Sequence, residues 1–356
     1  MYRALIRPWL FRHDPEDAHH FVMGLLRRWP IGCGLARRLL AVDDPRLRVE
    51  ALGLSFGNPI GLGAGLDKDG EAAGAWGALG FGFAEIGTVT PRPQEGNPRP
   101  RLFRLASERA LINRMGFNSA GAETVRANLA RGGATGIPIG INVGKNRDTP
   151  NERAADDYRA AMAPLVPFAD YFVINVSSPN TKGLRALQEA GAVGDLVAAA
   201  VEVARGDGRA RPVLVKLAPD FEGDALEETV RAARAAGAAG FVATNTTVGR
   251  TGVEGSPFAA EAGGLSGAPL RARATEVLRR VYRATDGALP IIGVGGVATA
   301  ADAYEKIRAG ASLVQVYTGL IYEGPCIARA INRGLLALLA RDGLPSVAAA
   351  VGLDAK

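Results

Sequence analysis

Residues 171–181 read YFVINVSSPNT, in which a run of apolar, strand-forming residues gives way to a polar loop. Seven other apolar runs end in the same manner, with Gly, Asn, Thr or Lys close to the last apolar position. Ala-rich segments of helical periodicity separate most of them, and eight strands alternating with helices favour an α/β protein with a closed (β/α)8 TIM barrel over an open sheet. The predicted strands cover residues 60–63, 83–87, 137–143, 172–176, 213–217, 241–244, 291–294 and 314–317.

The segments between these strands predict the outer helices and two long excursions. Helical patterns cover residues 156–166, 191–204, 225–236, 271–284 and 300–309. The connections over residues 88–136 and 245–289 are too long for a single helix, and we expect both to fold over one mouth of the barrel. Because barrel enzymes build their sites at the C-terminal ends of the strands, that mouth is the expected active-site end.

The first 45 residues predict an N-terminal amphipathic helical extension, so we divide the chain into residues 1–45 and a barrel domain of residues 46–356. Asp14-Pro15 is a favourable helix start, with a capping acid and a proline in the first turn. Residues 1–40 hold seven arginines and three acidic residues, so this segment carries most of the chain's net charge of +6. One apolar helical face is formed by Ala18, Phe21, Val22, Leu25, Leu26 and Trp29.

The composition excludes several other classes of protein. Of the 356 residues, 47% are hydrophobic, which is enough for a large core. The two cysteines, Cys33 and Cys326, lie far apart, so neither a disulfide framework nor a zinc site is expected. No apolar run reaches the ~18 residues of a transmembrane helix, and the N-terminus has no secretory cleavage pattern. All three histidines belong to the N-terminal extension, which disfavours metal catalysis and a histidine base in the barrel: His13, His19 and His20.

The polar residues after the strand at 172–176 suit a planar ligand that is rich in amide groups. Asn175 and Asn180 each offer a donor and an acceptor in one plane, as a pyrimidine requires. Ser178 lies between them and is placed to reach a proton of such a ligand. Lys68 and Lys216 close two other apolar strands, where we expect them to face a ligand. The alternative is that these two long side chains simply extend to solvent.

Glycine-rich strand ends predict an anion site. Gly295-Gly296 follows the seventh strand and Thr318-Gly319 follows the eighth, and glycine lets backbone N–H groups approach an anion closely. Many barrels hold a phosphate at these two strands, and the alternative is a pair of tight turns without a ligand. A phosphate, a nearby lysine and a set of asparagines together suggest FMN, with Lys216 beside the N1–C2=O edge of the ring.

Six motifs, in order along about residues 50 to 325, resemble those of the dihydroorotate dehydrogenase family. They are AGLDK at 64–68, NRMGF at 113–117, NVSSPNTKGLR at 175–185, TNTT at 244–247, GGLSG at 263–267 and GVGG at 293–296. The N-terminal extension is similar to that of class 2, the membrane-associated branch that uses quinones. Class 1 enzymes lack the extension and use a cysteine base where this chain has Ser178.

The resemblance implies oxidation of (S)-dihydroorotate to orotate in de novo pyrimidine (UMP) biosynthesis. Ser178 would remove the C5 proton while C6 delivers hydride to N5 of FMN, and a membrane quinone would then take the electrons. An unassisted serine is a weak base, so its proton must leave through water or a relay. Thr181 and the ring of Phe117 are the residues that we expect to shape this exit.

The resemblance also assigns binding residues, each at a matching motif position of this chain, and it implies no metal. Besides the catalytic Ser178, the implied substrate contacts are Lys68, Asn113, Arg114, Met115, Gly116, Phe117, Asn175, Asn180, Asn245 and Thr246. One FMN per subunit would contact Ala64, Gly65, Leu66, Asp67, Lys68, Thr88, Asn142, Asn175, Lys216, Thr244, Gly267, Gly296, Tyr317 and Thr318.

For residues 1–40 the resemblance implies a basic, amphipathic surface that lies on an anionic membrane and guides a quinone toward the flavin. We therefore expect a peripheral protein on the cytoplasmic face of a bacterial inner membrane, with a monomer as the working assumption. The alternative is an ordinary helical cap packed on the barrel, and the two roles are compatible because a helix has two faces. Nucleic-acid binding is not expected, because the basic residues cluster on an apolar helical segment.

Three alternative functions differ in ways that the residues address. Another FMN barrel, such as a dihydropyrimidine- or dihydrouridine-type reductase, typically uses a cysteine for proton transfer, whereas this chain has Ser178. A class 1 type of enzyme would pass electrons to fumarate or NAD and would leave the N-terminal helices unexplained. A non-catalytic, membrane-bound scaffold would not need to retain Lys68, Ser178 and Lys216.

Overall fold

The computed structural model describes residues 1–28, 33–133, 135–181, 183–206 and 208–355. Trp29 of the predicted helical face and the side chain of Cys33 lie outside the described residues. The strands are β1 Val49–Ala51, β2 Leu54–Phe56, β3 Ile60–Leu62, β4 Phe83–Val89, β5 Leu102–Leu105, β6 Ala110–Asn113, β7 Ile139–Val143, β8 Tyr171–Asn175, β9 Val213–Leu217, β10 Gly240–Ala243, β11 Gly264–Gly267, β12 Ile291–Val294 and β13 Leu313–Val316.

Eight parallel strands close into a barrel in the order β3, β4, β7, β8, β9, β10, β12 and β13. They are the eight strands that the apolar runs predict, so the TIM barrel is confirmed. Six of the eight strands differ from the predicted bounds by one or two residues, and only those at 213–217 and 291–294 agree at both ends. β7 begins at Ile139, after Pro138, which has no N–H to donate to a ladder. β13 begins and ends one residue earlier than the predicted run.

Glycines opposite large aromatic rings allow the interior of the barrel to fill. A Cβ on Gly140 would lie 2.1 Å from Cζ of Tyr171, and one on Gly61 would lie 2.3 Å from Cζ of Phe83. Both rings are fully buried. The hairpin of β1 and β2 adds Phe56, whose ring centroid lies 5.5 Å from that of Phe83. Since side chains occupy the middle of the barrel, ligands are confined to its ends.

The helices surround the barrel and confirm the predicted outer helical segments within one or two residues, except that the first of them ends in a 3-10 turn, Ala163–Phe168. A π-helical turn, Tyr2–Ile6, leads into the first helix. The helices are α1 Arg7–Leu10, α2 Pro15–Arg27, α3 Cys33–Leu40, α4 Ala73–Ala78, α5 Ala122–Gly132, α6 Ala154–Met162, α7 Ala190–Val203, α8 Ala225–Ala235, α9 Arg271–Ala284, α10 Ala300–Arg308, α11 Thr318–Glu323 and α12 Ile327–Arg341.

The two long excursions meet in one small sheet, which the sequence did not predict. β5 and β6 come from the first excursion and β11 from the second, and they pair antiparallel in the order β11, β6, β5. The pairing sets Gly264 opposite Asn113, a residue of the NRMGF motif. The sheet therefore joins the two segments that we expected over the barrel mouth and holds their polar residues in a fixed register.

The N-terminal extension packs on the barrel with one face and exposes the other. Asp14 caps α2 as predicted, since its carboxylate accepts hydrogen bonds from the backbone N–H groups of Glu16 and Asp17. Tyr2 Oη donates to the carbonyl of Ile321 at 2.7 Å, and Leu10 and Met23 are buried. A set of large apolar side chains remains exposed: Leu5, Ile6, Trp9, Phe21, Leu25, Leu35 and Leu39. Among the described residues, no helix is long and apolar enough to cross a membrane.

Candidate active site

A cavity, here called the barrel cavity, opens at the C-terminal mouth of the barrel beneath both excursions. Its walls comprise strand ends from around the barrel together with residues of the excursion sheet. Most of the predicted binding residues line it, namely Ala64, Gly65, Lys68, Thr88, Asn113, Met115, Phe117, Asn175, Lys216, Thr244, Asn245, Thr246, Gly267, Gly296, Tyr317 and Thr318. The barrel topology thus brings together side chains that lie more than 250 positions apart in the sequence.

The two predicted lysines face the barrel cavity in different surroundings. Lys68 Nζ donates to Asn118 Oδ1 at 2.7 Å, and burial lowers the pKa of Lys68 to about 8, against the opposing effect of Glu16. Lys216 is almost fully buried, and its Nζ lies 3.7 Å from Oε1 of Glu85, which is completely buried. Lys68 is therefore a cation with a lowered pKa that can pair with an anionic ligand, whereas Lys216 already has a carboxylate partner.

A buried layer of amides orients the floor of the barrel cavity. Asn175 Nδ2 donates to Thr88 Oγ1 at 3.0 Å and to Asn142 Oδ1 at 3.1 Å. Asn142 Nδ2 in turn donates to Glu85 Oε1 at 2.7 Å. Asn142 does not line the cavity, so its part in the site is to hold Asn175 and Thr88 in place. The amide flips are fixed by this network, because each nitrogen faces an acceptor.

A second set of polar side chains comes from the loops after β8 and β10. Asn245 Nδ2 donates to Ser177 Oγ at 3.0 Å, and the backbone of Thr246 donates to Asn245 Oδ1 at 2.7 Å. Asn180 Nδ2 donates to the carbonyl of Asn113 at 3.0 Å and to its Oδ1 at 3.1 Å. Asn180 is not on the cavity wall and instead holds Asn113, which is. These contacts tie the excursion sheet to the strand ends.

Ser178 lies in the loop that carries these contacts, but its side chain is not part of the cavity wall. Only 5% of its surface is exposed, and its Oγ accepts a hydrogen bond from the backbone N–H of Asn180 at 3.2 Å. Thr181, three residues further on, is 7% exposed. Phe117, which we expected to share the proton exit with Thr181, lines the cavity. The hydroxyl of Ser178 is thus nearly buried, in the loop that follows Asn175 of the cavity wall.

The predicted anion site is a cradle of backbone around two glycines and two hydroxyls. Gly295 and Gly296 both have positive φ, and a Cβ on Gly296 would lie 2.6 Å from Cα of Arg271, so only glycine fits. Ser266 Oγ lies 2.8 Å from Thr318 Oγ1, so the two hydroxyls are neighbours in the cavity wall. Because a hydroxyl pair and glycine backbone can offer several donors to one anion, this part of the cavity suits a phosphate.

Four further predicted contacts are not brought to the barrel cavity. The carboxylate of Asp67 accepts from two backbone N–H groups and from Trp76 Nε1 at 3.0 Å, and burial raises its pKa to about 6. Arg114 pairs with Glu261 at 2.6 Å and does not line the barrel cavity. Gly116 supports the chain where a Cβ would clash with Asn97. Leu66 lines a different cavity. The first two have partners within the protein, and their predicted contacts with a ligand stay predictions.

Several lining or supporting residues were not predicted. Glu85 interrupts the apolar run of β4, and an acid inside a strand was the signal that could have identified it. Gln315, on β13, lines the cavity and donates to Glu85 Oε2 at 2.5 Å. Asn118 follows directly after the NRMGF motif and lines the cavity beside Lys68. Ser266 belongs to the GGLSG motif and lines the cavity beside Gly267, although the resemblance implies only Gly267 as a contact.

A second cavity, here called the helix cavity, lies between residues 2–28 and the barrel. Its volume is about 710 Å³, which falls in the range of small-molecule sites. Its walls are mainly apolar and include Ile6, Leu10, Val22, Met23, Leu25 and Leu26 from the extension. Four residues line both cavities, so that one wall separates them: Gly65, Lys68, Met115 and Tyr317.

Two polar residues of the helix cavity were missed because their positions depend on docking of the extension. Burial lowers the pKa of His19 to about 4, so its imidazole is neutral at pH 7. Arg104, on β5, donates from Nη1 to the carbonyl of Leu10 at 3.0 Å, and its guanidinium lies 4.6 Å from the ring centroid of Phe11. The helix cavity is therefore a mainly apolar chamber with several polar groups in its wall, and His19 is closer to the barrel than its place in the chain suggested.

A buried ion pair connects α2 with the loop that carries the NRMGF motif. Arg101 donates to both carboxylate oxygens of Glu16, at 3.0 Å and 2.6 Å, and both side chains are nearly buried. The same guanidinium donates to the carbonyls of Glu95 and Asn97. Asn97 Nδ2 then donates to the carbonyl of Arg114 at 2.8 Å. The extension and the loop above the barrel cavity are thus fixed to each other. Within the part of the chain that the structure describes, no group of three or more metal-ligand side chains occurs.

The comparisons with known proteins agree with this geometry. A family model described as dihydroorotate dehydrogenase matches residues 46–339. Relatives named "Dihydroorotate dehydrogenase (quinone)" include one from Thermus thermophilus, 54% identical over 95% of this chain and 97% of its own length. Another, from Anaeromyxobacter sp., is 56% identical over 98% of this chain and 96% of its own length. Among solved structures, DHODH of Eimeria tenella in complex with ferulenol aligns with a TM-score of 0.90 at 42% identity, over 96% of both chains.

Proposed function

The chain belongs to the dihydroorotate dehydrogenase family, in its quinone-dependent branch, and from that premise we infer the reaction and the part that each cavity has in it. The protein is an oxidoreductase that converts dihydroorotate to orotate in pyrimidine biosynthesis, with a quinone as electron acceptor. The single observation that carries the assignment of roles is the shared wall: a polar cavity and an apolar cavity meet at Gly65, Lys68, Met115 and Tyr317. The polar cavity suits the pyrimidine, and the apolar cavity suits the quinone.

FMN is the proposed cofactor of the barrel cavity, at one per subunit. The glycine cradle with Ser266 and Thr318 would hold its phosphate, and Thr88, Asn175 and Lys216 would face its ring. Bound FMN supplies the hydride acceptor for the substrate and the electron donor for the quinone. Three features support the fit: a cradle in which a Cβ on Gly296 would clash, a hydroxyl pair, and a planar amide floor.

The substrate is proposed to lie against the outer wall of the barrel cavity. Lys68 would pair with the carboxylate, since the ammonium group is charged below pH 8 and Asn118 already fixes its direction. The amides of Asn113 and Asn245, with Thr246, would satisfy the ring N–H and C=O groups. The hydrogen bonds from Asn180 to Asn113 hold that amide in one orientation, so Asn180 supports the contact.

Ser178 is proposed to take the C5 proton. Its loop is held by the adjacent Ser177, whose hydroxyl accepts a hydrogen bond from Asn245 on the cavity wall. The Asn180 N–H that donates to Oγ occupies one lone pair of Ser178 and would stabilise negative charge as the proton leaves. Since an isolated serine is a poor base, the proton must pass on to water, and Thr181 and Phe117 are the proposed boundary of that exit.

Residues 1–45 are proposed as a quinone-access and membrane-surface segment beside the barrel domain of residues 46–356. The exposed apolar side chains of α1 to α3 lie close in sequence to seven arginines, which is the composition of an interfacial helix. Ile6 and Leu25 belong both to the exposed apolar set and to the wall of the helix cavity, so a quinone entering from lipid would reach Tyr317 and Met115. We propose peripheral attachment to the cytoplasmic face of a bacterial inner membrane, and a monomer.

The test is dihydroorotate oxidation by the purified protein with a ubiquinone analogue, fumarate or NAD as the sole acceptor. We expect turnover with the quinone alone. Turnover with fumarate or NAD instead would move the protein to the class 1 type and contradict the proposed role of the helix cavity. A purified protein without the yellow absorbance of a flavin would contradict the proposed cofactor.

A further inference from the structure

A carboxylate is buried inside the barrel directly below the barrel cavity. Glu85, on β4, has no exposed surface. Its two oxygens accept hydrogen bonds from Asn142 Nδ2 at 2.7 Å and Gln315 Nε2 at 2.5 Å. Lys216 Nζ lies 3.7 Å from Oε1 and is the cation paired with it among the described residues. An ionised carboxylate is strongly disfavoured in such a place unless charge and hydrogen bonds compensate it.

The position of Glu85 separates it from any ligand while joining it to residues that meet one. Lys216 and Gln315 both line the barrel cavity, whereas Glu85 does not. Asn142 relays a further contact to Asn175, which also lines the cavity. Glu85 therefore acts on a bound ligand through its neighbours and through its charge. The charge is felt over several ångströms, because the surrounding side chains are buried and water does not screen it.

We propose that Glu85 is a positioning residue that supplies the counter-charge of Lys216 and so sets the electron affinity of the bound flavin. This inference rests on the proposed function, in which Lys216 faces the ring of FMN. A lysine without a counter-charge would favour the electron-rich, reduced ring and would hold its electrons. With Glu85 in place the pair is close to neutral, so that the reduced ring gives its electrons to the quinone more readily.

The direct test is Glu85→Gln, measured on the FMN-loaded protein without substrate or quinone. Removing the negative charge should move the reduction potential of the bound FMN to a more positive value, determined against a reference dye. The affinity for sulfite, which adds to the oxidised ring and reports on positive charge beside it, should rise about tenfold, the order expected for one buried charge. An unchanged potential and an unchanged sulfite affinity would overturn the proposal.

A double-variant cycle separates charge from general loosening of the site. In a Lys216→Gln background, Glu85→Gln should change the sulfite affinity much less than in the wild type, because the pair has already been removed. An equal change in both backgrounds would overturn the route through Lys216. Asp170→Asn is the matched control. It removes a carboxylate at the N-terminal end of β8, where Asp170 accepts a hydrogen bond from the backbone N–H of Ile139. This variant should leave the potential unchanged.

The more conservative Glu85→Asp keeps the negative charge, and it allows the proposal to be tested even if the glutamine variant fails to bind FMN. The reduction potential of FMN in this variant should differ from the wild-type value by only a small fraction of the shift expected for Glu85→Gln. A potential that moves well to the positive side in Glu85→Asp, although the charge is retained, would show that shape rather than charge matters, and would overturn the proposal. A wild-type protein that carries no FMN would instead contradict the proposed function, so the two failures are distinguishable.

Discussion

The barrel cavity and the helix cavity share a wall, but they are built by different means. Strand ends that the barrel fixes in a closed ring form the barrel cavity, and hydrogen bonds between buried amides orient its side chains. The helix cavity depends on a short extension held by a few polar contacts and by apolar packing. This difference indicates that the oxidation of dihydroorotate depends on the rigid barrel, whereas access for the quinone depends on the attached N-terminal extension.

The largest expected effect concerns the barrel cavity alone. Ser178→Ala should slow FMN reduction by dihydroorotate about 10²- to 10⁴-fold, the range for loss of a general base. FMN content and the reoxidation of the reduced protein by quinone should remain near the wild-type values, because the helix cavity is untouched. Rapid-mixing absorbance at the flavin band measures both half-reactions. A wild-type rate of reduction in the variant would remove Ser178 from the mechanism.

Removing residues 1–40 should have the opposite effect to Ser178→Ala: it should impair the helix cavity more than the barrel cavity. We expect most quinone turnover and binding to anionic vesicles to be lost, because one wall of the helix cavity and the exposed apolar face are gone. FMN content should persist, and reduction by dihydroorotate should fall much less than quinone turnover, because the loss of Glu16 removes the carboxylate partner of Arg101 but leaves the strand ends in place. Vesicle co-sedimentation and the two half-reaction rates test this, and full vesicle binding by the shortened chain would contradict the membrane role.

The ion pair between Glu16 and Arg101 joins the two regions, so breaking it should loosen both. Arg101→Leu leaves the nearly buried carboxylate of Glu16 without its bidentate partner. The free energy of unfolding should fall by roughly 3–5 kcal/mol, the cost of breaking a buried pair. The control is Arg99→Leu, which removes a half-exposed partner of the same carboxylate and should cost under about 1 kcal/mol. Denaturant unfolding followed by circular dichroism compares them, and equal losses would argue against a special role for Arg101.

A smaller effect should appear in the pH dependence of orotate binding. Burial lowers the pKa of Lys68 to about 8, so the ammonium group is charged below that pH and neutral above it. Because only the charged form attracts the carboxylate of orotate, affinity should be constant below pH 8 and fall by up to about tenfold per unit above it. Lys68→Arg should move the decline out of the range. Titration by flavin absorbance from pH 6.5 to 9.5 tests this, and a flat wild-type profile would contradict the pairing.

The contrast between the cavities also explains what could be predicted from the sequence. Barrel strands carry a strong local signal, and the residues after each strand meet at one mouth, so Lys68, Asn175 and Thr244 could be assigned in advance. The helix cavity arises from docking between distant segments, and nothing local marks His19 or Arg104 as neighbours.

Two motif residues differ from their neighbours. Asp67 and Arg114 lie in motifs that contribute other residues to the wall of the barrel cavity, yet each has partners within the protein and neither lines the cavity. A motif describes a local backbone path, and the direction of each side chain depends on contacts that form only in the folded molecule. Glu85 was missed for the related reason that its partners come from β7, β9 and β13.

The central claim, that two substrates use two cavities, is tested most directly by the inhibition pattern of orotate in steady-state quinone reduction. With separate cavities, orotate should compete with dihydroorotate, and raising the quinone concentration should not relieve its inhibition. If instead a high quinone concentration abolishes inhibition by orotate, both ligands occupy the barrel cavity, and the role proposed for the helix cavity is wrong.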